Sequence, residues 1–541
     1  MAAPQKHVVA YTIPHWGHAR PLVHLCARLV KLRSINLTLL TSTAFHPRIV
    51  TELSRSFDLG EEAYAKRIRV ISINEVAFMR TEEGDKAFEE AWKTIYQEQE
   101  LVCTQTGTRY PPLPQPQAII LDVCIHTAGL VELSLTMIAG VSDSDVLQST
   151  AVDPYNSVRS VSGNSVKIYT WHPGLTYVLF RLFGPEKLGG KGNIRIKAEE
   201  IARQTGRSFK DVVTELVFTP EVGKVVCIPG MLPMYEHEYF PQDFGSEFAE
   251  EVATNVFSRI YETLETTDGA ILFTPESYEP EAVAAFRRWF AETGRPAYAS
   301  GPLLPSASKE AANETEKKLS KESPEIQDFL DVTLKTDGKK SLLYISFGSV
   351  FWPAKTPEKL WAFLDVVMEL NIPFILSHAS PFAIITDEVR EKVKAYGKGI
   401  LSAWTPQQLI LDHPATGWFV AHGGHNGVTE AISAGVPQIL WPFATDQPLN
   451  AVHIAHQLQI GYELIEVRTG HGLKPIYRNG RKPVGTLDAV KAEAREVLGK
   501  AFGEDGAKKR EKLQAVREAM NKEWDDGGSA RKDILAFLDS L

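Results

Sequence analysis

Two kinds of apolar pattern alternate along this chain: short continuous runs, and longer stretches whose apolar residues return every three or four positions. HVVAYTI from His7 is a run of the first kind. A turn at Pro14 to Gly17 follows, and then Leu22, Leu25, Cys26, Leu29 and Val30 fall at helical spacing, with Pro21 in the first turn. LTLLT from Leu37, IRVISI from Ile68, AIILDV from Ala118 and AILFTP from Ala270 continue the series, with helical patterns between several of them. Strands that alternate with helices predict a parallel sheet covered on both faces, an α/β fold of the doubly wound kind.

From about Tyr155 to Phe244 the pattern weakens into aromatics, glycines and prolines, predicting helices and loops that line a pocket. Ser306 to Lys340 is rich in Lys, Glu, Ser and Asn, the composition of an exposed linker. A second series follows: SLLYISFGS, PFILSH, ILSAW, GWFVAHGG and PQILWP read as strands, PEKLWAFLDVVMEL as a helix. The expected organisation is therefore a Rossmann-like domain over 1–298, a linker over 299–340, a second Rossmann-like domain over 341–515, and a C-terminal segment over 516–541. That segment ends in ILAFLDSL, whose apolar face must pack on something.

Composition narrows the function. A chain of 541 residues exceeds one ordinary core, and a formal net charge of -9 argues against a nucleic-acid or anionic-membrane surface. No apolar run reaches the roughly 18 residues that span a bilayer, and the N-terminus lacks a secretory h-region, so a cytoplasmic location is expected. Cys26, Cys103, Cys124 and Cys227 are far apart and read as reduced core thiols.

The chemistry concentrates in WTPQQLILDHPATGWFVAHGGHNGVTEAISAGVPQILWPFATDQPLN, Trp404 to Asn450. Gly423, Gly424 and Gly427 stand between a strand and a helix, where backbone amides approach phosphate oxygens. Trp404 is placed to stack a base, Gln407 to bond its edge, Glu430 to take two ribose hydroxyls, and Asp446 with Gln447 to bond a hexose. Together these residues resemble the nucleotide-sugar signature of the UDP-glycosyltransferase superfamily, glycosyltransferase family 1. The resemblance implies the GT-B arrangement of two facing domains with a cleft between them, and a last helix, near Ile534 to Leu541 within 516–541, that returns to pack on the first domain. It also implies that Trp404 stacks uracil, Gln407 bonds it and Glu430 holds the ribose. His422, Gly424, Asn426 and the Gly427 amide would contact the diphosphate with Ser349 nearby, and Asp446 and Gln447 would bond the sugar. Plant members usually carry Trp and Ser where this chain has His425 and Gly427.

In the first half, IPHWGHARPL resembles the family's N-terminal loop, and His18 matches its general base. At a helix start, the positive end potential favours the neutral, proton-accepting ring. Asp122 ends the strand AIILDV, at the sheet edge where ligand crevices form, and is the expected partner that orients the ring. Trp16, His126 and Trp352 are candidate acceptor-binding residues. Asp143-Ser144-Asp145 has the DxD form of metal-dependent glycosyltransferases, but a metal-free diphosphate site is already present, so no metal and no cofactor are expected. The implied activity is inverting transfer of a hexose, from UDP-glucose by preference, to a hydroxyl of a lipophilic phenol, terpenoid, sterol or lipid. A UDP-sugar epimerase or hydrolase and a non-catalytic nucleotide-sugar binder are the alternatives.

Overall fold

The computed structural model describes residues 5–74, 82–124, 154–243, 249–250, 252–308, 312, 316 and 323–541. The chain forms two compact units. The first comprises Met1–Thr219, Phe244–Ala312 and Glu523–Leu541, and the second Pro220–Asp243 and Asn313–Lys522. Residues 220–243 thus depart from the expected 1–298 domain and pack with the second-half residues.

The first unit holds a seven-stranded sheet built from β1 (Lys6–Tyr11), β2 (Ile35–Ser42), β3 (Ile68–Asn74), β4 (Ala118–Asp122), β5 (Lys167–His172), β6 (Gly269–Leu272) and β7 (Ala297–Ala299). Its order is β7-β6-β5-β4-β1-β2-β3, and every pairing is parallel. The continuous apolar runs follow from burial on both faces. Val8, Ala10 and Ile120 point into one core with α1 (Trp16–Leu32), while Val9, Tyr11, Ile119 and Leu121 point into the opposite core with Phe88 and Trp92.

The second unit repeats the architecture with β8 (Leu342–Ser346), β9 (Phe374–Ser377), β10 (Gly399–Ser402), β11 (Thr416–Ala421), β12 (Gln438–Leu440) and β13 (Tyr462–Glu463). The order is β10-β9-β8-β11-β12-β13, again all parallel. Three helices carry its candidate residues: α2 (Gln407–Asp412), α3 (His425–Ala434) and α4 (Gln447–Val452).

In each sheet the chain starts in the middle, winds to one edge, and returns to wind toward the other. The order reverses between β1 and β4 in the first unit and between β8 and β11 in the second, and crevices at the carboxyl ends of such strands are where open α/β sheets take ligands.

The last helix, α5 (Ser529–Asp539), buries Ile534, Phe537 and Leu538 in the first unit's core beside β1 and β5 residues. Its apolar residues repeat at helical spacing, and that core is the surface its ILAFLDSL stripe required. Among the described residues no helix is long and apolar enough to cross a membrane. Cys26 and Cys103 are buried and Cys124 half-buried, but Cys227 is exposed, which departs from the core-thiol expectation.

Candidate active site

At the first switch point, β1 runs into a turn and α1 begins at Trp16. His18 lies in the first turn of that helix, and its Nδ1 is 2.9 Å from Asp122 Oδ2 and 3.2 Å from Oδ1. Asp122 ends β4 and is fully buried. Thr12 donates its hydroxyl to Oδ2 at 2.6 Å, and the Cys124 amide donates to Oδ1 at 2.8 Å. Burial alone would push the Asp122 carboxyl up, yet the His18 ring and these donors hold it below its ordinary value. An ionised carboxylate only accepts, so His18 carries its proton on Nδ1. Nε2 then presents a lone pair, and the side chain is 24% exposed, enough to meet a substrate.

Two further histidines surround this pair. His15 precedes α1, and its ring centroid is 5.9 Å from that of His18. His172 ends β5 and donates Nε2–H to the Leu175 carbonyl at 2.8 Å. Burial lowers both rings to about 4, so both stay neutral near pH 7. His24, inside α1, bonds Ser56 and Glu52 in a buried cluster.

At the second switch point, β11 ends and His422, Gly423 and Gly424 lead into α3. Gly423 has φ +93°, a conformation that favours glycine. A Cβ on Gly424 would stand 2.4 Å from His422 Nε2, and one on Gly348 would stand 3.0 Å from His422 Cε1. The imidazole is therefore seated between two glycines, over the face of Phe351 at 5.7 Å. Burial lowers it to about 4, and its buried Nδ1 has no hydrogen-bond partner among the described residues.

Around this turn the polar groups brace one another. Asp446 Oδ2 accepts the His425 amide at 2.9 Å, capping α3, and Thr445 donates to Oδ1 at 3.0 Å. The Asn426 and Gly427 amides lie in the first helical turn, where an α-helix supplies no acceptor of its own. Gln447 Oε1 accepts the Phe443 and Ala444 amides at 2.8 and 3.2 Å, which turns its NH2 the other way. Glu430 is buried and accepts from Gln407 at 2.5 Å and from Gln408 at 2.8 Å. Trp404 is 39% exposed, a large apolar ring left at the surface beyond β10, and Ser349 is exposed in the loop after β8.

The acceptor candidates fare differently. Trp16 packs against the first unit's core with Phe45 and carries the Arg48 guanidinium 3.7 Å above its ring. Trp352 is 6% exposed and wedged against Phe347 and Trp361, so it is a core residue of the second unit and not a rim residue. His126 and the Asp143-Ser144-Asp145 segment lie outside the described residues. Sequence reasoning passed over Thr12 and Gln408, the braces of Asp122 and Glu430. A hydroxyl one residue past β1 was the available signal for Thr12. For Gln408 it was the doubled glutamine.

Two Rossmann-type sheets, each gathering its polar groups at its switch point, are the units from which the GT-B class is built. Comparison with known proteins agrees. Residues 255–473 match the family model described as UDP-glucoronosyl and UDP-glucosyl transferase. The UDP-glycosyltransferase eriJ of Hericium erinaceus is 29% identical over 558 aligned positions, covering 100% of both chains. The nuatigenin 3-beta-glucosyltransferase of Solanum aculeatissimum is 31% identical over 37% of this chain and 40% of its own. Among solved structures, Phytolacca americana UGT2 complexed with UDP-2-fluoro-glucose and pterostilbene superposes with a TM-score of 0.60 at 18% identity, over 99% of each chain. A UGT transferase from Siraitia grosvenorii in complex with UDP gives 0.61 at 17%, also over 99% of each. The chain thus resembles the UDP-glycosyltransferases along its length, carries their family model over residues 255–473, and is an enzyme of sugar transfer from a UDP-sugar.

Proposed function

We propose that the enzyme transfers glucose from UDP-glucose, with inversion, to a hydroxyl of a small lipophilic acceptor. His18 Nε2 takes the acceptor proton as the acceptor oxygen attacks the anomeric carbon. The bond from that carbon to the diphosphate oxygen breaks, and UDP leaves. Asp122 stabilises the imidazolium and keeps the ring in the tautomer that exposes Nε2. The observation that carries this reading is the buried, ionised Asp122 locked onto His18 Nδ1 at 2.9 Å. In the same reading Trp404, Gln407 and Glu430 bind the uridine, and Ser349 with the turn from His422 to Gly427 receives the diphosphate. Gln447 offers its NH2 to the sugar beside Asp446, whose negative charge disfavours a uronate donor. Among the relatives reported above, a nuatigenin glucosyltransferase and a structure complexed with pterostilbene support a lipophilic acceptor.

No metal is needed in this scheme. His18, Asp122 and Cys124 do bring three ligand-type atoms within 4.8 Å of one another. The donor set is nonetheless poor for an ion. Both Asp122 oxygens are engaged, and burial next to that carboxylate pushes the Cys124 thiol well above its ordinary value, away from the thiolate a metal requires.

Product analysis by mass spectrometry tests the assignment, using a panel of UDP-sugars, mixed phenolic and terpenoid alcohols, EDTA, and a His18→Ala control. A hexoside formed from UDP-glucose in EDTA and lost in the control is the expected result. UDP release without a glycoside would favour a hydrolase, and equal product from the control would remove His18 from the chemistry.

A further inference from the structure

The peptide bond between Pro442 and Phe443 begins the loop that carries Asp446 and Gln447. Its N–H donates to Gln447 Oε1 at 2.8 Å. Its carbonyl accepts from Gln242 Nε2 at 3.4 Å, and the same Nε2 donates to the Val467 carbonyl at 3.1 Å. A peptide unit is a rigid plane whose N–H and C=O point oppositely, so a group holding one edge fixes the direction of the other. Gln242 and Gln447 therefore grip opposite edges of a single plane.

Gln242 is itself firmly seated. Thr469 donates its hydroxyl to Gln242 Oε1 at 3.2 Å, the Thr469 amide donates to the Pro241 carbonyl at 3.0 Å, and the Asp243 amide donates to Thr469 Oγ1 at 2.8 Å. Gly472 passes so close that a Cβ there would stand 2.5 Å from the Pro241 carbonyl oxygen. Farther along the same segment, His237 Nε2 bonds the Pro475 carbonyl at 2.8 Å and Glu238 accepts the Tyr477 amide at 2.9 Å. Residues 220–243 thus form a brace laid along the loop after β13.

We infer that Gln242 is a positioning residue for the donor sugar, acting through the 442–443 peptide to aim the Gln447 amide. This rests on the reading above in which Gln447 bonds the sugar. UDP lacks that sugar, so its binding is the internal reference. Gln242→Met keeps the side chain's length and deletes its donors, and Gln242→Ala removes it altogether. Calorimetric affinities for UDP-glucose and for UDP, measured without acceptor, are compared with those of Gln447→Ala. Loss of one aiming hydrogen bond is expected to weaken UDP-glucose about five- to tenfold in Gln242→Met, with UDP held within about twofold. Equal weakening of both ligands, or no change in either, would overturn the inference while Gln447→Ala remains selective for UDP-glucose. If Gln447→Ala is not selective either, the sugar assignment of Gln447 falls first and the role of Gln242 with it.

Discussion

The two switch points solve the problem of a polar site in opposite ways. In the first unit a buried carboxylate is fixed by side-chain donors and a single backbone amide, and Nε2 is the nitrogen of the half-buried His18 ring left outside that pairing. The second is built chiefly from glycines, backbone amides and paired side chains. Glycines clear space there, and Asp446, Gln447 and Glu430 are each engaged by neighbouring backbone or side-chain amides. A site that must move a proton needs one group with a defined tautomer, whereas a site that must cradle a diphosphate and a nucleoside needs many donors and little bulk. The first should therefore fail through charge, and the second through volume.

Asp122→Asn tests the charge side and carries the largest expected effect. The amide would fill nearly the same space but no longer fix the Nδ1–H tautomer or balance an imidazolium, so kcat should fall about 10²- to 10⁴-fold with donor affinity unchanged. A loss under fivefold would sink the pair as the catalytic centre. The same variant has a pH signature. Asp122 is held below the ordinary value of about 3.9, so its ionised form adds stability above that pH, and the contribution disappears as pH falls through the lower folded value. From pH 7 to about pH 3 the parent's Tm should consequently drop further than that of Asp122→Asn. Parallel curves would mean the carboxylate contributes no net pairing energy.

Gly424→Ala tests the volume side. Its backbone is not in the left-handed region, with φ -64°, so strain is absent and only the clash with His422 Nε2 remains. The ring cannot retreat freely, because Gly348 and Phe351 bound its other sides. Overpacking of about 1 to 3 kcal/mol should displace His422 and weaken UDP roughly tenfold by calorimetry. UDP affinity within twofold of the parent would show that the turn's tightness serves the fold and not the ligand.

Much of this contrast was legible in the residues. Trp404, Gln407, the glycine turn and Glu430 lie within one short helix-strand-turn-helix stretch that runs from just before α2 to α3, so their closeness in the chain made them legible together. His18 and Asp122 are each at the end of a strongly patterned element, although 104 residues separate them. β5 was illegible because KIYTWH alternates Tyr and Trp with Thr and His, which reads as loop chemistry until both sheet faces are known to be covered. β7 and β13 are too short to show a period. The brace at 220–243 has prolines and aromatics but no periodicity, and Gln242 meets Pro442 across 200 residues. Contacts of that kind leave no local mark in a sequence.

The smallest effect should come from Gly427→Ser, which introduces the residue plant relatives usually carry. Gly427 is the third residue of α3, and a Cβ there would meet only Phe419 Cε1 at 3.7 Å and Gln407 Nε2 at 3.9 Å, both ordinary contacts. Nothing in the helix requires glycine at this position, and exchanging it for serine inside a helix is worth about 0.5 kcal/mol in favour of folding. Tm should therefore hold or rise slightly, the opposite of Gly424→Ala only three residues earlier. If the first-turn amides already hold the diphosphate, an added hydroxyl supplements them, and UDP should bind equally well or up to about fivefold tighter. Weaker binding would show that the bare backbone at 427 is itself the ligand's seat, and that space as well as donors governs this end of the turn.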